Sequence, residues 1–229
     1  MIAAEAKQRQ RPDARTARSR TASRKGEEDM KRRLTCILLA LVLVLCLCAC
    51  GGSKAPSYTY TDPGQKLRHA EITIRDYGTI KLELDEGVAP ITVENFVELA
   101  NQGFYNGLTF HRIIDGFMIQ GGDPQGDGFG GSGKTIKGEF ADNGVKNPIS
   151  HVKGVLSMAR GDEYDSGSSQ FFITVADSTF LDGHYAAFGK VTEGVEIAEQ
   201  IAKDAKPIDN NGTIPPEAQP VIESVVITD

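Results

Sequence analysis

The sequence predicts a mainly β protein, a closed or nearly closed antiparallel barrel accompanied by two helices. Three observations lead to this fold class. From residue 70 onward the chain contains eight short segments rich in β-branched and aromatic residues, several of which alternate apolar with polar positions. Only two segments carry apolar residues at helical spacing. Closely spaced Gly, Pro and Asp residues separate these elements, and no internal repeat is present.

The predicted strands are bounded by turn residues, and they cover residues 70–76, 79–85, 108–114, 117–120, 154–160, 170–175, 186–191 and 221–228. A turn at residues 77–78 makes a hairpin of the first two strands. Pro90 suits the first turn of one helix, which ends before Gly103, and residues 194–203 form the second helix. Residues 121–148 are predicted to be a Gly-rich loop.

Charge is divided unevenly along the chain. The net charge is −6, yet residues 1–33 carry 11 Lys and Arg against 5 Asp and Glu, and the remainder carries 14 against 26. An acidic main body argues against nucleic-acid binding, because phosphate contacts depend on basic groups that release counterions. The histidines show no metal-ligand spacing, so neither a metal nor another cofactor is expected: they are His69, His111, His151 and His184.

Residues 30–49 have the pattern of a secretory signal peptide, a basic start and an apolar run shorter than the roughly 20 residues of a membrane span. The motif Leu47-Cys48-Ala49-Cys50-Gly51 resembles a bacterial lipobox, which implies cleavage before Cys50 and a lipid on its sulfur. An uncleaved anchor helix is the alternative. Both interpretations place the following domain outside the cytoplasm, attached to the bacterial membrane.

The rest of the chain divides by composition. Residues 1–29 are polar and Arg-rich, and we expect a disordered extension or an upstream start-site artefact, with Met30 as the initiator. Residues 50–66 are rich in Gly, Ser, Pro and Thr and are predicted to form a flexible tether. Residues 67–229 make up the folded domain. Because all four cysteines lie within residues 36–50, no disulfide is expected in that domain.

The segment GFGGSGKT, residues 128–135, matches the phosphate-loop pattern G-x-x-x-x-G-K-[ST]. A phosphate loop needs a buried strand before it and a helix after it, because the helix N-terminus helps to bind the phosphates. Here a polar, Gly-rich stretch precedes the motif, and Gly138 follows Lys134 by four residues. We therefore expect no bound nucleotide, and a nucleotide hydrolase is the least favoured function.

The chain contains four further motifs in a fixed order: FHRIIDGFMIQGGD (110–123), GVLSMAR (154–160), GSSQFFIT (167–174) and FLDGHYAAFGKV (180–191). Together they closely resemble the cyclophilin-type peptidyl-prolyl isomerases, and the likeness runs from about Glu71 to the C-terminus. The resemblance implies a closed eight-stranded antiparallel barrel capped by two α-helices, and cis–trans isomerisation of X–Pro bonds. The expected partners are proline-containing segments of exported proteins, and a monomer is expected.

The resemblance also implies roles for individual residues. Arg112 is the expected catalytic residue, because its rigid, charged donors suit the nitrogen of a twisted amide. The substrate-binding residues implied around an apolar slot are Phe117, Met118, Gln120, Ala159, Arg160, Gln170, Phe172, Phe180, Leu181 and Tyr185. Strand alternation independently predicts that Met118 and Gln120 share one face, as do Gln170 and Phe172.

Three positions depart from the family pattern. Arg160 replaces a common Asn, so only its main chain is expected to pair with a peptide. Phe180 stands where the family member best known in animals has Trp, and Tyr185 aligns with a His that members often have. Both keep apolar surface but lack an indole N–H and an imidazole. These replacements leave open a second function, a proline-peptide binding or scaffold module with little turnover. His111 is expected to be a buried, hydrogen-bonded strand residue rather than a catalyst.

Overall fold

The computed structural model describes residues 66–229. The predictions for residues 1–29, for the signal peptide, for Cys50 and for all but the last residue of the tether lie outside the described residues. Within the described part of the chain, no helix combines the length and the apolar character needed to cross a membrane.

Eight strands form, one for each predicted segment, and their ends lie within three residues of the predicted ones. In chain order they are β1 (Leu67–Ile74), β2 (Gly78–Asp85), β3 (Thr109–Ile114), β4 (Met118–Asp123), β5 (Val155–Met158), β6 (Phe171–Thr174), β7 (Ala186–Glu193) and β8 (Ile222–Ile227). The predicted hairpin joins β1 and β2, whose residues pair from Leu67 with Asp85 to Ile74 with Gly78.

The strands form one antiparallel sheet in the order β3-β4-β6-β5-β7-β2-β1-β8. The sheet curls, but its edge strands β3 and β8 do not pair with each other: Thr109 of β3 forms only an isolated bridge with Val221, the residue before β8. The prediction of a closed barrel is therefore wrong in this respect, and the structure is an open half-barrel.

The chain before β8 explains why the sheet stays open, since it occupies the outer edge of β3. Phe110 donates its backbone N–H to the carbonyl oxygen of Pro220 at 2.9 Å, and Ile113 donates to Gly212 at 2.8 Å. Ile214 donates in return to the carbonyl of His111 at 2.9 Å. The edge groups that a neighbouring strand would bind are thus bonded to a loop.

Two α-helices pack against the sheet, as predicted: α1 (Pro90–Asn101) and α2 (Val195–Asp204). Pro90 stands in the first turn of α1, where no intrahelical partner exists for a backbone N–H. The apolar residues of α1 at helical spacing are buried, namely Val93, Phe96, Val97 and Ala100. α1 packs on β8, β2 and β7, while α2 packs on β2 and β4.

Aromatic side chains fill the interior of the curled sheet beneath α1. Among the fully buried rings are Phe96, Tyr105, Phe110, Phe171 and Phe188. Phe171 lies edge-to-face against Phe96 and Tyr105 at 5.5 Å between centroids, and against Phe110 at 6.1 Å. Aromatic pairs favour this geometry, so the cluster binds α1 firmly to the strands.

The loop that contains GFGGSGKT is organised around Asp123 instead of a helix. The Asp123 carboxylate accepts backbone N–H bonds from Gln125 at 2.8 Å and from Gly128 at 2.6 Å. Burial would raise the pKa of Asp123, but the backbone hydrogen bonds outweigh it and hold the pKa below its usual value. The next helical element in the described chain is a three-residue 3₁₀ helix, Ala141–Asn143. Residues 128–135 therefore lack the helix that phosphate binding requires.

Candidate active site

Strands β4 and β6 present different side chains on their two faces. Ile119, Phe171 and Ile173 point into the main core. Met118 and Phe172 belong to a separate apolar cluster on the opposite face. Alternation therefore holds along β4 and β6, and the second face of the sheet carries its own apolar surface.

Cross-strand register places the polar residues of this second face beside the apolar ones. Arg112 of β3 pairs with Gln120 of β4, and Gln120 pairs in turn with Phe172 of β6. Ser157 of β5 pairs with Phe172 on the other side. One row across four strands therefore runs from a guanidinium, through an amide, to an aromatic ring.

A cleft of about 390 Å³ opens on this face. The residues that line it are Arg112, Phe117, Met118, Gln120, Ala159, Arg160, Phe172, Phe180, Leu181 and Tyr185. All ten belong to the set that the sequence analysis assigned to the site. The remaining member of that set within the described chain, Gln170, lies in an adjoining groove that shares Gln120, Ala159 and Arg160 with the cleft.

The floor of the cleft is apolar and the rim is aromatic. Met118, Phe172 and Leu181 are buried and form the floor. Tyr185 stands edge-to-face to the ring of Phe172 at 5.9 Å between centroids. Phe180, two-thirds exposed at the rim, packs on Phe117 at 5.4 Å. The cleft is thus an open, ring-lined hollow of the kind that binds a small apolar group.

Arg112 lies at one side of the cleft in a fixed position. Its Nε donates to the backbone oxygen of Asn211 at 2.8 Å, and its Nη1 donates to Oε1 of Gln120 at 3.1 Å. Nη1 also lies 3.8 Å from the sulfur of Met118 on the floor. Burial lowers the pKa of Arg112, but an arginine keeps its charge in proteins. Nη2 has no hydrogen-bond partner among the described residues, so its N–H groups remain for a bound molecule.

Two glutamines continue the polar side of the cleft into the adjoining groove. Nε2 of Gln120 donates to Oε1 of Gln170 at 2.9 Å. Nε2 of Gln170 donates to the backbone oxygens of Gly128 and Gly130 at 3.0 and 2.8 Å. The ring of Phe129, between these glycines, is 91% exposed and lines the groove. Gln170 thus anchors the Gly-rich loop beside the cleft.

The side chain of Arg160 has a structural role that the sequence analysis did not predict. Its guanidinium lies over the rings of Phe140, Tyr164 and Tyr185, at 5.2, 5.3 and 4.8 Å from their centroids. Its Nε donates to the backbone oxygen of His184 at 3.0 Å. The arginine therefore supports Tyr185 at the edge of the cleft from behind. These rings are distant in sequence, so no local pattern could have indicated the cluster.

Comparison with known proteins agrees with this geometry. Residues 69–227, more than half of the chain, match the family model described as cyclophilin type peptidyl-prolyl cis-trans isomerase. The chain belongs to the cyclophilin family.

Curated bacterial peptidyl-prolyl cis-trans isomerases are similar to this chain. It is 48% identical over 137 residues to peptidyl-prolyl cis-trans isomerase A of Dickeya dadantii, covering 55% of this chain and 67% of that protein. It is 49% identical over 129 residues to isomerase B of Bacillus subtilis, covering 56% of this chain and 87% of that protein.

A solved cyclophilin of Cryptosporidium parvum has the same fold. It superposes with a TM-score of 0.63 at 30% identity, over 72% of this chain and 99% of that one. A second structure of that protein, determined in the presence of the dipeptide Ala-Pro, gives a TM-score of 0.62 at 31% identity, over 70% and 99% of the two chains.

Two cyclophilin positions that differ in this chain still contribute surface to the cleft. Phe180 and Tyr185 both line it.

His111 is only partly as predicted. It is buried, but neither ring nitrogen has a hydrogen-bond partner among the described residues. Burial lowers the pKa of His111, which favours its neutral form.

Proposed function

We propose that this cyclophilin isomerises X–Pro bonds with the proline ring on the apolar floor of the cleft and Arg112 as the donor to the amide nitrogen. The observation that carries the proposal is the position of Arg112, whose Nη1 lies 3.8 Å from the floor residue Met118. A ring seated on Met118, Phe172 and Leu181 would bring its nitrogen within reach of the free Nη2 group.

Isomerisation of an X–Pro bond requires only a hydrogen-bond donor and an apolar surface that excludes water. Rotation about a peptide bond crosses a barrier of about 18–20 kcal/mol, because resonance gives the C–N bond double-bond character. In the twisted state the nitrogen recovers a localised lone pair, and a donor aimed at it gains a bond that the planar state does not offer. This stabilises the transition state selectively.

Arg112 alone would not supply the whole rate enhancement. A rate gain of about 10⁵ needs roughly 7 kcal/mol, which exceeds the contribution of one hydrogen bond. The remainder would come from desolvation of the amide in the cleft and from holding the carbonyl side of the substrate. We propose that the backbone of Ala159 and Arg160 and the amides of Gln120 and Gln170 would hold a peptide next to the proline.

The test is an isomerisation assay on a tetrapeptide that contains Ala-Pro. The purified chain should accelerate isomerisation, and Arg112→Ala should lower kcat/KM by at least about tenfold, since it removes a donor that acts in the transition state. Arg75→Ala is the matched control, because Arg75 is an exposed strand-end arginine that pairs at 3.5 Å with Glu223.

Either of two results would contradict the mechanism. If Arg112→Ala is as active as the parent chain, Arg112 takes no part in the reaction. Tight binding of the peptide without acceleration by the parent chain would favour the alternative function, a proline-peptide binding or scaffold module.

We also propose that this isomerase acts outside the cytoplasm, anchored to the bacterial membrane by a lipid on Cys50. The basic start, the apolar run of residues 34–49 and the lipobox-like motif support this location. Intact-mass analysis of the membrane fraction should find a chain that begins at a lipid-modified Cys50, and Cys50→Ala should not mature. A mature chain that begins elsewhere would contradict the anchor.

The proposed substrates are exported proteins that fold at the membrane surface. Uncatalysed X–Pro isomerisation takes tens of seconds or longer, so newly exported chains would gain from a tethered catalyst. Refolding of an exported protein whose slow phase comes from proline should be faster with the parent chain than with Arg112→Ala.

A further inference from the structure

A buried polar network lies behind the apolar floor of the cleft. His151 is fully buried, with its Nδ1 2.8 Å from Oδ1 of Asp182 and its Nε2 3.0 Å from Oγ of Ser157. Asp182 also accepts the backbone N–H of His151 at 2.7 Å and the hydroxyl of Ser150 at 2.6 Å. Both ring nitrogens of His151 are therefore bonded, as a buried polar side chain requires.

The partners fix the protonation of the ring. A carboxylate only accepts hydrogen bonds, so Nδ1 carries the proton and Nε2 accepts from the hydroxyl of Ser157. Burial lowers the pKa of His151, although Asp182 opposes this effect. Burial would raise the pKa of Asp182, but its bonds from Ser150 and His151 hold it below the usual value. A neutral imidazole thus bridges a hydroxyl and a charged carboxylate.

The order Ser157–His151–Asp182 matches the connectivity of a hydrolase triad, but the placement excludes that activity. Ser157 has no exposed surface and lies in β5 between β6 and β7. A nucleophile must contact the carbonyl that it attacks. The network therefore has a structural role within the protein rather than a catalytic one.

The network contacts both sides of the cleft floor. The ring of His151 stacks on that of Phe172 at 6.1 Å between centroids and 16° between planes. Ser157 is the cross-strand partner of Phe172. Asp182 directly follows Leu181, and the backbone oxygen of His151 accepts from Ser178 at 2.7 Å, at the start of the same segment. One imidazole thus joins the strand that carries Phe172 to the segment that carries Leu181.

We propose that His151 is a positioning residue that sets the spacing of Phe172 and Leu181 to fit a proline ring. The inference rests on the proposed use of the cleft floor, and it assigns to His151 no contact with the substrate. The floor binds the proline ring in both the planar and the twisted state of the peptide bond. A change in the spacing of the floor residues should therefore weaken the binding of both states equally.

The expected signature is a change in KM rather than in kcat. His151→Phe keeps a ring against Phe172 but removes both hydrogen bonds, and it should raise KM for the Ala-Pro tetrapeptide by about tenfold with little change in kcat. Asp182→Asn keeps an acceptor for Nδ1–H, so it should raise KM less than Asp182→Ala. Ser157→Ala, which removes only the bond to Nε2, should have the smallest effect.

A matched control separates positioning from general destabilisation. Tyr105 is fully buried in the aromatic core beneath α1, and its hydroxyl donates to the backbone oxygen of Ser169 at 3.2 Å. Tyr105→Phe removes this bond and should lower the melting temperature without changing KM. If it raises KM as much as His151→Phe at a similar loss of stability, the proposal is wrong. Ser157→Ala provides the test if His151→Phe does not fold.

A binding measurement distinguishes this inference from the proposed function. Binding of the dipeptide Ala-Pro, followed by NMR titration of each variant, does not depend on turnover. If the parent chain binds Ala-Pro and the His151 and Ser157 variants bind it equally well, the positioning role alone is wrong. If the parent chain binds but does not catalyse, the isomerase proposal fails while weaker binding by His151→Phe still supports this inference. If the parent chain does not bind Ala-Pro, both fail.

Discussion

Phe171 and Phe172 are neighbours in β6, yet they belong to two different regions. Phe171 has no exposed surface and is enclosed by Phe96, Tyr105 and Phe110 in the interior of the curled sheet. Phe172 points to the other face and is 5% exposed on the floor of the cleft. The same strand thus supplies one ring to the core and the next to the site.

The difference lies in what covers each face. Helix α1 covers the interior of the curled sheet, so the aromatic rings there contact one another on all sides. The cleft face is covered mainly by the segment that carries Phe180, Leu181 and Tyr185, and a hollow of about 390 Å³ remains. We conclude that one face of these strands chiefly stabilises the fold, and the other chiefly provides a surface to bind a molecule.

The largest expected effect is a contrast between Phe171→Ala and Phe172→Ala. Phe171→Ala should lower the free energy of unfolding by about 3–5 kcal/mol, because it opens a cavity in a closed aromatic core. Phe172→Ala should lower it less, since its site already adjoins an open cleft, but should raise KM strongly. Urea denaturation and the tetrapeptide assay measure the two effects. Equal losses of stability would show that the two faces are not distinct.

A second variant tests the loop that holds Arg112. Gly212 has a φ of +86°, and a Cβ there would lie 2.6 Å from the backbone oxygen of Ile113. Gly212→Ala should cost about 1–3 kcal/mol of stability through strain and should reduce kcat, because Asn211 would shift from the Nε of Arg112. Gly144→Ala is the control, with a φ of +74° but open space around its Cβ. If both variants keep full kcat, the loop does not position Arg112.

Acidification should weaken the fold through two buried histidines, His111 and His151. Burial lowers the pKa of His111 and of His151 from 6.5 in the folded state, with Asp123 and Asp182 opposing and Arg112 adding to the effect at His111. Below pH 6.5 the unfolded chain binds protons that the folded chain does not, so stability falls as pH falls. Each histidine can contribute up to about 1.4 kcal/mol per pH unit.

Urea midpoints between pH 7 and 5 measure this effect. His111→Phe should make the stability less dependent on pH, because it removes the contribution of one buried histidine. The carboxylates of Asp123 and Asp182 add a separate loss at lower pH, as pH falls below 3.8 towards their lowered folded-state pKa values. An unchanged slope in His111→Phe would contradict the assignment.

The smallest expected effect concerns the rim. Arg160→Ala removes the guanidinium that lies 4.8 Å from the ring centroid of Tyr185. A cation–π contact at a partly exposed site contributes about 0.5–1 kcal/mol, so KM should rise about two- to fivefold with little change in kcat. Arg160→Lys should have an intermediate KM, since an ammonium stacks less well on rings. A KM unchanged in both variants would mean that Tyr185 needs no support.

The sequence could predict those features that depend on local periodicity. Alternation along β4 correctly assigned Met118 and Gln120 to one face, and helical spacing around Phe96 located α1. Motif resemblance identified in advance every residue that lines the cleft. These features follow from short stretches of chain, in which side-chain direction is fixed by backbone geometry.

The features that the sequence could not predict join distant segments. The rings around Arg160 come from three separate loops, and His151 and Asp182 are 31 residues apart. The open sheet depends on the loop before β8, which took the place of a strand at the edge of β3. Such contacts are set by tertiary packing, which local propensity does not encode.

The loop along β3 has a consequence for the proposed substrates, which are unfolded chains. An uncovered edge strand is a template on which another extended chain can add, and this leads to aggregation. Here the backbone groups of Phe110, His111 and Ile113 are already bonded to the loop. The open half-barrel therefore withholds this edge from passing polypeptides, so that a client can dock by its proline without joining the sheet.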